Sequence, residues 1–194
     1  MAKKTTTEAK SSFAVKTTYK DAVELQSVLN ELKSDPIANN FYKLKLACID
    51  AMIKVKPLVA QVEELGKPSE TYISYIKERN TLFEQYAEKE GDSPIMYKDS
   101  SCTERVQPND SVRVMYFNFK DKEDEVDEKH KTLKEKYKDA IAAEDDREKT
   151  REELLKSDLP ESFKLNRVGE DYPTNLPMRY LYPFLIFGII DPKE

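Results

Sequence analysis

Between residues 37 and 62, apolar side chains return every three or four positions: Ile37, Phe41, Leu44, Cys48, Met52, Val55, Val59 and Val62. That is the period of one α-helical face, so the spacing predicts a long helix. Asp35 stands at the N-cap position and Pro36 at the first helical position, where a missing N–H costs nothing. Gly66-Lys67-Pro68 predicts its end, because glycine accepts a left-handed φ and proline cannot continue the backbone bonding. Ser69 then caps a second helix with the face Tyr72, Tyr75, Ile76, Leu82, Phe83 and Tyr86, ended by Gly91. Two long helices joined by so short a loop predict an antiparallel hairpin over 35–91. Leu46, Ile49 and Ile53 make a second apolar flank on the first helix, which predicts cover on more than one side. Pro57 predicts a kink or a break near 53–57, since an interior proline costs about 3 kcal/mol.

The remaining pattern is shorter in period or more heavily charged. Leu25, Val28, Leu29 and Leu32 predict a short amphipathic helix over 19–32 that covers the hairpin. Over 92–120, Ile95-Met96-Tyr97 and the alternating Val112, Val114, Tyr116, Phe117 and Phe119 predict two strands, joined through the turn signal Pro108-Asn109-Asp110. Residues 121–158 alternate in sign around a narrow seam of Val126, His130, Leu133, Tyr137 and Ile141, the mark of an exposed, ion-paired helix. That seam thins after Ile141, which predicts a break or a projecting arm there, and Leu154, Leu155 and Leu159 resume the apolar pattern. Phe163, Leu165 and Val168 predict a third strand. The closing run from Tyr180 to Ile190 is the most hydrophobic in the chain; it either completes the core or is offered to a partner. The fold class expected is mostly α with a small antiparallel β element (α+β): a long helix hairpin, a short sheet and a charged third helix. A basic arm over 1–18 precedes a single domain over 19–194, which closes with a C-terminal strand and apolar tail over 159–194.

Composition narrows the function classes. Charged residues make up 36% of the 194, so much of the helical surface must be solvated. The net charge of −5, with no basic block beyond the arm, argues against a dedicated nucleic-acid binder. Only Lys3, Lys4, Lys10, Lys16 and Lys20 offer a local basic patch. The chain starts without the apolar core of a signal peptide, and its longest apolar run is short of the ~20 residues that cross a bilayer, so no membrane partner is expected. Two cysteines, Cys48 on an apolar helix face and Cys102 in a loop, are read as free thiols in a reducing cytoplasm rather than a disulfide.

Candidate chemistry is sparse. The single histidine, His130, lies on a helix seam outside any recognised motif, where a packed, hydrogen-bonded role outweighs a catalytic one. Two separate cysteines and one histidine do not make a zinc site. The acidic run Asp121, Glu123, Asp124, Glu125, Asp127 and Glu128 lacks the central glycine and ligand spacing of a calcium loop. Four scattered glycines form no phosphate-cradling loop. An enzyme is disfavoured, and no cofactor or metal is implied. The side chains offered to a partner are Phe13 and Val15 in the arm, and Tyr182, Phe184, Ile186 and Phe187 in the tail.

The order of elements, with Ile37-Ala38-Asn39-Asn40-Phe41-Tyr42-Lys43-Leu44, Val62-Glu63-Glu64-Leu65, Ile76-Lys77-Glu78-Arg79-Asn80-Thr81-Leu82 and Leu181-Tyr182-Pro183-Phe184-Leu185-Ile186, resembles small helical-hairpin proteins encoded among virion-structure and tail genes of tailed bacteriophages. The resemblance covers 25–91 best. It implies a non-enzymatic virion structural or assembly protein, made in the host cytoplasm and present in the virion in multiple copies against capsid, portal or tail proteins. The alternative is a soluble phage-encoded assembly chaperone or host-directed inhibitor that is not retained in the particle.

Overall fold

In a computed structural model the described residues are 16–35, 41–107, 109–111 and 114–193. They form six α-helices and two small two-stranded antiparallel sheets, the mostly α architecture with a small β element that the pattern predicts. The chain divides into two compact units. One joins the N-terminal segment through Gly66 to residues from Thr150 onward; the other spans Lys67–Lys149.

The first unit is built on α1 (Tyr19–Leu32), α2 (Tyr42–Leu65) and α6 (Met178–Ile186). A capping box starts α1: the Thr18 hydroxyl accepts from the Asp21 amide at 3.3 Å, and the Thr18 amide donates to the Asp21 carboxylate at 2.7 Å. Tyr19, Ala22, Leu25, Leu29 and Leu32 then point inward. Against them α2 presents Leu44, Ala47, Cys48, Ala51, Val55, Leu58, Val59 and Val62, and the small alanines let the two helices approach closely. The α2 helix starts at Tyr42 rather than Pro36, whose neighbours 36–40, Ile37 included, lie outside the described residues. Asp35 is not its cap. The Asp35 amide donates to the Leu32 carbonyl just past the end of α1, and its carboxylate accepts from the Tyr180 hydroxyl at 3.3 Å. Pro57 does not break α2, because Val55, Leu58 and Val59 on either side of it are held in the core.

The C-terminal segment closes this core. Residues 163–168 form no strand; Phe163, Leu165 and Val168 pack as irregular chain, and the predicted tail is helix α6. Gly188, at φ +64, ends α6 in a Schellman motif: its amide reaches Leu185 and the Ile189 amide reaches Phe184 at 2.9 Å. Two backbone links then tie distant parts of the chain together. Leu159 donates to Thr17 at 2.8 Å beside the Thr18–Asp158 bridge, and Val168 and Gly169 pair with Ile189 and Asp191.

The second unit holds α3 (Glu70–Tyr86), the hairpin of β1 (Lys89–Glu90) and β2 (Ser93–Pro94), the pair β3 (Met96–Tyr97) and β4 (Tyr116–Phe117), α4 (Glu123–Lys136) and most of α5 (Lys138–Lys156). Ser69 caps α3 as expected, accepting from the Tyr72 amide at 3.1 Å. Gly91 does not end α3, which stops at Tyr86; it turns the β1–β2 hairpin at φ +64. In the β3–β4 pair, Met96 faces Phe117 and Tyr97 faces Tyr116, in the segments where strands were predicted. The charged segment is two helices, interrupted at Tyr137 and not after Ile141. There the Tyr137 hydroxyl turns to bond the Glu78 carboxylate at 2.7 Å. Each of the two helices read as a hairpin finds its packed partner inside its own unit: α1 for α2, α4 for α3.

Candidate protein-interaction surface

The candidate docking side chains fare unequally. Phe13 and Val15 lie outside the described residues. Phe184 is fully buried and belongs to the core with Tyr180, Ile189 and Ile190; it is corrected from partner surface to packing, because the helical period turns it inward. Ile186 and Phe187 are half-buried, Phe187 against the core and edge-on to Phe163 at 6.1 Å. Tyr182 is 61% exposed, beside Met178 on the outer face of α6. Of the basic residues that the sequence offers to nucleic acid, Lys16 is bonded to Asp158 at 2.9 Å and Lys20 lies 3.9 Å from Glu24. Lys3, Lys4 and Lys10 lie outside the described residues.

His130 sits where the seam puts it. Its Nε2 is 3.1 Å from the Tyr75 hydroxyl, and the Phe83 ring meets it edge-on at 5.0 Å. Burial, then the Lys134 and Arg79 charges, hold its pKa below the ordinary value, so the ring favours the neutral form. Burial alone pushes the Cys48 thiol up to about 12, which leaves no nucleophile at neutral pH. Both cysteines are free thiols. Asp99 organises its loop by accepting from Ser101, from Thr103 and from the Glu104 amide at 2.9 Å, and these bonds lower its pKa to about 2. Among the described residues no group of three or more His, Cys, Asp or Glu is placed to hold a metal ion; the acidic run opens α4, with Glu123, Asp124 and Glu125 in its first turn. A groove of about 470 Å³ runs between α3 and α4 over Leu82 and Leu133; two of its three rim lysines are engaged, Lys136 with Glu78 and Lys129 with Glu125. Among the described residues no helix is long and apolar enough to cross a membrane.

The outer face of α2 is different. Tyr42, Leu46, Ile49 and Ile53 are 73, 47, 47 and 69% exposed. At 100° per residue these four side chains fall within a sector of about 60°, opposite the buried face. Their spacing of four, three and four residues is that of a coiled-coil seam. The sequence marks Leu46, Ile49 and Ile53 as apolar, and periodicity alone predicts that this flank is covered. The structure leaves it open. Exposed Lys45 and Lys56 border the stripe on one side; on the other are Asp50, bonded to Lys54 at 2.9 Å, and Lys43, 3.3 Å from Asp171. Two apolar faces on one helix need two partners, and α1 covers only the inner one. Such a stripe can hold another apolar helix by excluding water, and its geometry carries no chemical step. No protein-family model, no curated protein and no solved structure matches the chain.

Proposed function

We propose that this chain is a non-enzymatic bacteriophage structural or assembly protein that works through protein–protein contacts with capsid, portal or tail components. The observation that carries the contact-based part is the uncovered stripe Tyr42, Leu46, Ile49 and Ile53 on α2. An exposed row of large apolar side chains at seam spacing costs free energy in water, and a partner helix removes that cost. The phage part rests on the resemblance carried by residues 37–44, 62–65, 76–82 and 181–186. The docking role moves from the C-terminal segment to α2, since Phe184 and its neighbours complete the core.

A transient assembly helper is the second reading. It is favoured by the way the C-terminal segment folds back onto α1 instead of projecting. Quantitative mass spectrometry of purified particles separates the two. A fixed copy number relative to the major coat protein is the expected result. Absence from particles, together with abundance in infected-cell lysate, overturns the virion reading in favour of the helper.

A further inference from the structure

We infer that the outer face of α2 binds an amphipathic helix of another protein whose apolar seam is bordered by Asp and Glu. The inference rests on the contact-based reading above and names the chemistry of the partner. The apolar stripe sets the geometry: positions 42, 46, 49 and 53 accept a helix with its own apolar residues at steps of three and four. The charges set the sign. Lys45 and Lys56 stand on the same edge, and among the described residues neither has an ion-pair partner. Eleven residues separate them, about 16 Å along the helix axis. A partner helix therefore meets two unpaired cations about three turns apart, and carboxylates at matching border positions satisfy both.

The same edge disfavours self-pairing, and the narrowness of the stripe disfavours a bilayer. A second copy in antiparallel pairing brings Lys45 and Lys56 against themselves; in parallel pairing they face an edge where Asp50 is already bonded to Lys54. A bilayer surface selects a wide apolar face, whereas this one is a stripe of about 60° on a helix whose opposite face is packed against α1.

The test uses the full-length chain and fluorescently labelled helical peptides about three heptads long, with a Leu/Ile seam. One peptide carries Glu at its border positions and the other Lys. Anisotropy titrations are expected to show the Glu-bordered peptide bound at least about tenfold more tightly, with the difference shrinking as salt rises. Ile49→Glu, on an exposed position that leaves helicity unchanged by circular dichroism, is expected to weaken binding about tenfold or more. The double variant Lys45→Glu/Lys56→Glu is expected to reverse the preference between peptides. Equal binding of both peptides, binding of neither, or an unreversed preference overturns the inference. So does association with phosphatidylglycerol vesicles that Ile49→Glu abolishes, or self-association by sedimentation that competes with the peptide. A chain at fixed copy number in particles that ignores the Glu-bordered peptide loses this inference alone. A chain that binds the peptide but is absent from particles loses the virion reading alone.

Discussion

Replacing Phe184 with Ala tests whether the closing segment is core or surface, because Tyr182 supplies an internal control two residues away. Phe184 is fully buried and contributes to the core with Tyr180, Ile189 and Ile190, whereas Tyr182 is 61% exposed on the opposite side of α6. Truncating a buried Phe removes its transfer free energy and leaves a cavity, together about 3–5 kcal/mol. Phe184 also supplies the carbonyl that receives the Ile189 amide, so the loosened ring sits at the C-terminal turn of the helix. Tyr182→Ala removes little buried area, the side chain being 61% exposed, and is expected to change stability by about 0.5 kcal/mol or less. The assay is urea unfolding followed by far-UV circular dichroism. With a slope of about 2 kcal/mol/M, Phe184→Ala lowers the midpoint of the first unit by about 2 M, and Tyr182→Ala leaves it nearly in place. Because the chain has two compact units, hydrogen exchange locates the effect: amides of α1 and α6 exchange faster in Phe184→Ala, and those of α3 and α4 do not. Equal costs for the two variants, or a cost below about 1 kcal/mol for Phe184→Ala, refutes the placement of this segment in the core.

Gly188→Ala isolates a backbone effect, since an added Cβ meets nothing within 4 Å while φ is +64. The left-handed penalty of about 1–2 kcal/mol, less about 0.4–1 from a less flexible unfolded chain, leaves a net loss of roughly 0–1.6 kcal/mol, about 0.8 at mid-range, in the same unfolding assay. Gly188→Asn is expected to recover most of it, and a stabilising Gly188→Ala argues against the Schellman ending. The lowered pKa of His130 gives a signed pH dependence. The fold binds the neutral ring better, so the unfolded chain takes up the proton first. This contribution is complete above the ordinary value of 6.5 and is lost as pH falls through the lower folded value. The melting temperature of the second unit should therefore drop more between pH 8 and pH 5 in the parent than in His130→Gln. Parallel profiles mean that Tyr75, Phe83, Arg79 and Lys134 do not bias the ring.

Local pattern was enough for some elements and silent on others. The helix over Tyr19–Leu32, the inner face of α2, the Ser69 cap and the approximate positions of β3 and β4 follow from side-chain period and from caps that act within one turn. Asp35 misled because an Asp before Pro reads as a cap, while its carboxylate is taken by Tyr180, 145 residues away. The α6 helix was hidden because it is only nine residues long and holds Pro183, which reads as a helix breaker, although Gly188 carried the signal for its C-terminal end.

The division of labour follows from range. Which residues share a helix face depends on neighbours three and four positions apart, and the sequence by itself determined that much, including the two apolar faces of α2. Which face is covered depends on segments far along the chain. Thr17 and Thr18 meet Asp158 and Leu159, the C-terminal helix is drawn onto α1, and α1 in turn covers the inner face of α2. Only that tertiary closure left Tyr42, Leu46, Ile49 and Ile53 in water, because a helix has apolar capacity on two sides and this core had use for one.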